Sequence, residues 1–193
     1  MFFGTKNWFK FLYFVTAMSP AYILYSLHLY SHNKFPFTTI MNVKIPIITL
    51  GILLVFLFLG WIMKVVMIKV TKDNENPYSL QNAYNKITGK NGTSIIFMLG
   101  VIIPSVIYLD APLFINVFTF IFVQSLLYIL MSHSSALFPN LLFIIYGMHT
   151  FELTNGKYLI SDQPIERRDN HEEIKATLIG DHSNTLCYVR GKK

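Results

Sequence analysis

Hydrophobic positions in this chain gather into long unbroken runs over the first two thirds. Over the last quarter they thin into short, alternating stretches. Four runs approach the length of about 20 apolar residues that a helix needs to cross a bilayer. They cover residues 11–30, 45–63, 92–109 and 112–131. Ile45–Met63 is the cleanest, with 19 residues and no charge, and 92–109 is the shortest. Backbone groups in lipid must be bonded within the segment, so each run predicts a helix. Pro20 and Pro104 lie inside the first and third runs and predict kinks there.

The period changes after about residue 149. Thr150–Thr154 and Lys157–Ile160 read as extended, and Asn155-Gly156 between them is a hairpin signal, because both residue types tolerate positive φ. Ile174–Ile179 and Thr185–Arg190 alternate, with the turn-rich Gly180–Asn184 between them. Leu141–Tyr146 reads as a buried strand that opens this unit. A fifth span over 137–148 is set aside, because Pro139-Asn140 breaks it and it would carry Arg167 and Arg168 outside. The loop 64–91 is polar in its second half, and the stretch from Ser79 to Ile87 predicts a short helix on the membrane surface. The Asn91-Gly92-Thr93 acceptor pattern then lies on the cytoplasmic side and reads as a turn.

The expected fold class is therefore a membrane all-α protein. It is a four-helix transmembrane bundle over 1–136, with a small antiparallel β unit of three or four strands over 137–193. A unit of some 50 residues buries little core by itself. It is expected to lean on the membrane part, on another copy or on a partner.

Composition sharpens this picture. The chain is 53% hydrophobic and 13% charged, with a mean hydropathy of +0.45. An ordinary soluble domain carries about 25% charged residues. Disordered chains and disulfide scaffolds are excluded, and the single Cys187 reads as a core thiol on an alternating strand. The net charge of +6 is confined to residues 1–148, where nine basic groups meet three acidic ones; residues 149–193 hold seven of each. That distribution suits loops beside anionic headgroups, and no direct binding of nucleic acid is expected. With the N-terminus in the cytoplasm, 14 of the 16 basic residues face inward and only Lys34 and Lys44 face out. Trp8 and Trp61 then mark the inner interface, and Tyr30 and Tyr108 the outer one. The expectation is a multi-pass protein of a bacterial inner membrane with both ends inside. A cleaved signal peptide is disfavoured by the length of the first run and the lack of a small-x-small site.

Candidate chemistry is sparse. Ser134 and Ser135 adjoin His133, but neighbours on a helix do not face one another. The six histidines are scattered without metal-ligand spacing, and there is no phosphate loop or dinucleotide fingerprint. No catalytic, cofactor or metal site is expected, and the chain is not read as an enzyme. Asn116 and Gln124 in the fourth run are candidates for bonds between helices or for lining a pore. Ala17 and Ala21 form a small-xxx-small pair that permits close helix approach. The charged stretch with Glu166, Arg167, Arg168, Glu172 and Glu173, joined by Lys175 and Arg190, offers a salt-dependent docking surface for a cytoplasmic protein.

Four spans followed by Phe151-Glu-Leu-Thr-Asn-Gly-Lys-Tyr-Leu-Ile160 and Ile174–Arg190 resemble KwaA, the membrane subunit of the two-gene Kiwa antiphage system of bacteria. The resemblance implies a homo-oligomeric membrane sensor of phage infection, a tetramer in that family. It also implies a cytoplasmic DNA-binding effector partner, KwaB, and it brings no catalytic residues. The alternatives are an immunity protein against a pore-forming, colicin-type bacteriocin, whose group has a similar Phe-Glu-Leu-Thr run between spans, and a small homo-oligomeric channel gated by its tail.

Overall fold

A computed structural model describes residues 2–32, 37–40, 43–72, 78–80, 86–92, 112–133, 138–165, 174–180 and 183–188. Two helices, α1 (Asn7–Ala17) and α2 (Ser19–His32), open the chain. A β-hairpin of β1 (Phe37–Ile40) and β2 (Val43–Pro46) leads into the long α3 (Ile47–Lys72). Then come β3 (Tyr78–Leu80), β4 (Ile87–Lys90), α4 (Leu113–His133) and the short α5 (Leu141–Ile145). Four strands close the sequence: β5 (His149–Leu153), β6 (Tyr158–Ser161), β7 (Ile174–Leu178) and β8 (Thr185–Tyr188).

The four-helix transmembrane bundle is corrected by this architecture. Among the described residues, two helices are long and apolar enough to cross a membrane, Ile47–Thr71 and Leu113–His133. Only 22% and 17% of their most apolar windows are buried within the chain. The first run is not one span. Pro20 has no N–H to bond back to Thr16, so the chain breaks at Met18 (φ −82°, ψ 1°) and leaves helices of 11 and 14 residues. The third run and its Pro104 lie outside the described residues, apart from Gly92.

The β part is also larger than expected. It is a six-stranded sheet in the order β3-β7-β8-β6-β5-β4, and β3 and β4 come from the 64–91 loop. Strand stands at Tyr78–Leu80 and Ile87–Lys90, at the two ends of the expected surface helix, whose residues 81–85 lie outside the described residues; the sheet reaches across the division placed at 136/137. It is mixed rather than antiparallel, because β6 runs parallel to β8 with Tyr158 opposite Thr185. The hairpins at Asn155-Gly156 and after Gly180 stand as expected, with Gly156 at φ +73°.

The two edge strands of this sheet are consecutive in sequence. A flat six-stranded sheet would hold them about 24 Å apart. That is roughly the full reach of the six residues joining them. The sheet rolls instead. Leu80, Phe151, Leu153, Leu159, Ile174 and Leu186 share one core, and the Lys157 ammonium lies 4.1 Å from the Tyr78 ring. The alternate side chains of β6 and β8, Tyr158, Ile160 and Cys187, turn outward into a second core with the helices.

That second core fixes the sheet to the helix layer. The Thr71 hydroxyl at the end of α3 donates to Cys187 Sγ at 3.3 Å, and Met63 and Met67 are buried beside it. At the other end of α3, the Ser26 and Thr49 hydroxyls bond at 2.9 Å, so α2 and α3 meet far from the sheet. Residues 2–6 run along the β7–β8 hairpin. Lys6 N–H donates to Ile179 O (3.1 Å), Asn184 N–H donates to Phe3 O (3.1 Å), and Thr5 Oγ1 bonds Ser183 Oγ (2.8 Å).

Leu141–Ile145 is a helix where a strand was expected. Asn140 caps it, its Oδ1 accepting from Phe143 N–H at 3.3 Å, and Gly147 at φ +72° ends it as Met148 N–H bonds back to Phe143 O. The Asn140 amide also donates to Thr16 Oγ1 at 2.8 Å, and Tyr13 donates to Phe138 O at 2.6 Å. These bonds hold α5 against α1. Tyr146 then donates to Leu57 O at 2.6 Å and accepts at its own carbonyl from Lys64 Nζ at 2.8 Å, which holds the same corner against α3.

Candidate functional site

Two surfaces have the chemistry to meet another molecule. The first is the uncovered apolar flank of α3 and α4. Leu54, Phe58 and Trp61 on α3, and Phe114, Phe118 and Phe122 on α4, are each more than half exposed. Large side chains of this kind are stable in contact with hydrocarbon and costly in contact with water. Trp8 is exposed at the sheet end of α1, where an amphipathic ring belongs at a membrane interface, whereas Trp61 is exposed close to the middle of the α3 span.

The second surface is a cleft of about 310 Å³ between α4 and the broken α1–α2 pair. Phe11, Phe14, Tyr22, Tyr128 and Ile129 form its walls, and Gln124 lies at its base. The ring pairs Phe11–Tyr128, Phe14–Tyr128 and Tyr22–Phe120 set α4 antiparallel to α1–α2. Its lining residues on the first run, Phe11, Phe14, Val15 and Tyr22, lie on both sides of the helix break at Met18.

The candidate residues distribute as follows. Gln124 and Asn116 are both buried, two helical turns apart on the inward face of α4. Among the described residues, the Gln124 carboxamide has no hydrogen-bond partner at either Oε1 or Nε2. Ala17 and Ala21 are fully buried inside the chain, on either side of the break at Met18. They let α1 and α2 pack within one molecule instead of forming an exposed stripe. Lys175 is exposed on β7, opposite Ser79 of β3. Glu166, Arg167, Arg168, Glu172, Glu173 and Arg190 lie outside the described residues, as do Ser134 and Ser135.

Among the described residues there is no group of three His, Cys, Asp or Glu able to hold a metal ion. Burial pushes the Cys187 thiol up to about 12, against the smaller lowering effect of its bond from Thr71. A thiol held neutral in this way is a packing group, not a nucleophile. His149 at the start of β5 is shifted down from its ordinary value by desolvation, and then by the charge of Lys90.

A family model described as anti-phage protein KwaA matches residues 9–184. The chain belongs to the KwaA family. The match begins two residues into α1 and ends just before β8, so the apolar helices and five of the six strands of the sheet fall inside it. Membership of the KwaA family carries a role in anti-phage defence. It also displaces the bacteriocin-immunity alternative, whose similar Phe-Glu-Leu-Thr run lies between spans; here that run is β5, in the interior of the sheet. No curated protein and no solved structure matches the chain.

Sequence reasoning missed the cleft and the sheet's two edge strands. The cleft is lined from both sides of the break at Met18, and Pro20 was the available signal for that break. The edge strands lie in a polar loop whose residues become strand only through pairing with β5 and β7.

Proposed function

We propose that this KwaA-family chain is a membrane-held, homo-oligomeric sensor that docks a cytoplasmic effector of the KwaB kind on its sheet side. The observation that carries the reading is α3. Its first half presents uncovered apolar side chains suited to lipid, and its last two turns are packed into the core that holds the sheet. A displacement felt by the membrane half is therefore passed to the sheet through a continuous helix, with Lys64 and Thr71 as its polar attachments. The N-terminal segment bonds to the sheet, so both belong on the same face of the membrane. Lysine bias favours the cytoplasmic face of the bacterial inner membrane. The charged segment around Arg167 and Arg168, continuing to exposed Lys175, is the proposed docking surface. The chain itself is assigned no catalytic step and no direct contact with nucleic acid.

The test is co-purification of the effector subunit with the tagged chain from detergent-solubilised membranes. The double variant Arg167→Glu, Arg168→Glu is expected to reduce capture several-fold at low salt. The difference should shrink as salt screens the pair beyond a Debye length of about 10 Å at 0.1 M. Unchanged capture at every ionic strength refutes the charged docking surface.

A further inference from the structure

Among the described residues, the Gln124 carboxamide is a buried polar group without a partner, which is uncommon. It is 5% exposed, and neither its oxygen nor its nitrogen is hydrogen-bonded. Native interiors satisfy such groups, because an orphaned one keeps its full desolvation penalty. Gln124 is not sealed in, however. It lines the base of the cleft between α4 and α1–α2.

Depth limits what can satisfy it. The 21 residues of α4 are about 31 Å long, close to the thickness of a bilayer's hydrocarbon core. Gln124 is twelfth among them, at the middle. Lipid headgroups and bulk water do not reach that depth, and acyl chains that do reach it offer no donor or acceptor. The partner has to bring a polar atom on an otherwise apolar, uncharged body. The walls add a second requirement. Phe11, Phe14, Tyr22 and Tyr128 present ring faces and edges, which pack best against another flat ring. A volume of about 310 Å³ is at the lower end of small-molecule sites.

We propose that this cleft is a binding site for a quinone-type molecule: a planar, neutral, lipid-soluble ring bearing carbonyl or hydroxyl groups. The ring lies between the aromatic walls. The Gln124 Nε2 amide donates to a ring carbonyl in the oxidised form, and Oε1 accepts from a ring hydroxyl in the reduced form. No electron transfer by the protein is involved; the site binds. The assignment rests on α4 crossing the membrane, as in the proposed function, and is independent of effector docking.

The test uses the full chain in detergent, probed with decylubiquinone and with decylbenzene, which has the same tail and a ring without carbonyls. Bound probe is read by native mass spectrometry, and thermal unfolding is followed in parallel. Decylubiquinone is expected to form a saturable one-to-one adduct and decylbenzene to bind at least about tenfold more weakly. Gln124→Leu keeps the volume and removes the amide. It should unfold at a higher temperature than the parent without ligand, and it should lose the preference for the quinone. Ile121→Trp, at a position lining the cleft, should exclude both probes. Equal binding of both probes overturns the proposal, as does a quinone preference that survives in Gln124→Leu. If neither probe binds but a dimer mass disappears in Gln124→Leu, the amide belongs to a contact with a second copy, and the proposal is likewise overturned. Because effector capture is not measured, failure here leaves the docking reading standing, and failed docking leaves this one standing.

Discussion

At the scale of single residues, Asn140 does the most with the least. Its oxygen caps α5 and its amide reaches Thr16 across the α1–α5 contact, both in a buried setting. Replacing it with Ala removes the cap and strands the Phe143 N–H. The expected loss is about 1–3 kcal/mol, read as a lowered unfolding temperature in detergent. The same residue explains a misreading of the sequence. Leu141–Tyr146 looks like a buried strand by apolar content, but Asn140 before it and Gly147 after it are helix boundary signals, and they prevail. Cys187 was legible as a core thiol, because its strand alternates. Its raised pKa has a consequence for pH. The unfolded chain releases this proton from about its ordinary 9.0, while the folded chain holds it to about 12. Stability is therefore complete below pH 9 and falls as pH rises between those values. Thermal unfolding from pH 8 to 11 should show a steeper decline in the parent chain than in Cys187→Ala. A maleimide should label the parent only after unfolding.

At the scale of elements, the informative contact is α3 with the α5 corner. Gly60 permits it: a Cβ there would lie 2.7 Å from the Tyr146 ring, whose hydroxyl is bonded to Leu57 O. Gly60→Val should push the ring out and break that bond. The expected cost is about 1–3 kcal/mol by overpacking, offset by only about 0.3 kcal/mol of helix propensity, since valine is itself a weak helix former. A circular dichroism melt that matches the parent would refute the close contact. The Asn155-Gly156 hairpin and the β7–β8 hairpin were readable locally, because each is closed by its own turn. The strands β3 and β4 were not, since three or four residues in a polar loop carry no period of their own. Their strand state comes from partners about 60 to 100 residues away in sequence.

At the scale of the whole molecule, the apolar flank and the sheet impose opposite requirements on solvent. Phe58 and Phe122 are more than half exposed near the middle of the two candidate spans. Lysine at either position should cost about 2.5–3.5 kcal/mol on insertion. The variant chains should shift from the carbonate-resistant membrane pellet to the soluble or degraded fraction. Lys175→Glu, on the exposed face of β7, should leave that distribution unchanged. Composition and run length pointed to long apolar helices, and two helices long and apolar enough to cross a membrane are present among the described residues. Run length and hydropathy did not register the break in the first run; Pro20 signalled a bend there, and the chain divides into two helices at Met18.

The clasp between residues 2–6 and the β7–β8 hairpin has a consequence for synthesis. Thr5 bonds to Ser183 and Thr185, and Gly180, at φ +136°, has no Cβ because one would overlap the Gly4 carbonyl. Residues 2–6 are synthesised long before residues 179–185 and wait, unpaired, for them. Until residues 179–185 emerge, that strap has nothing to close onto, so its state reports whether the β7–β8 hairpin has been made.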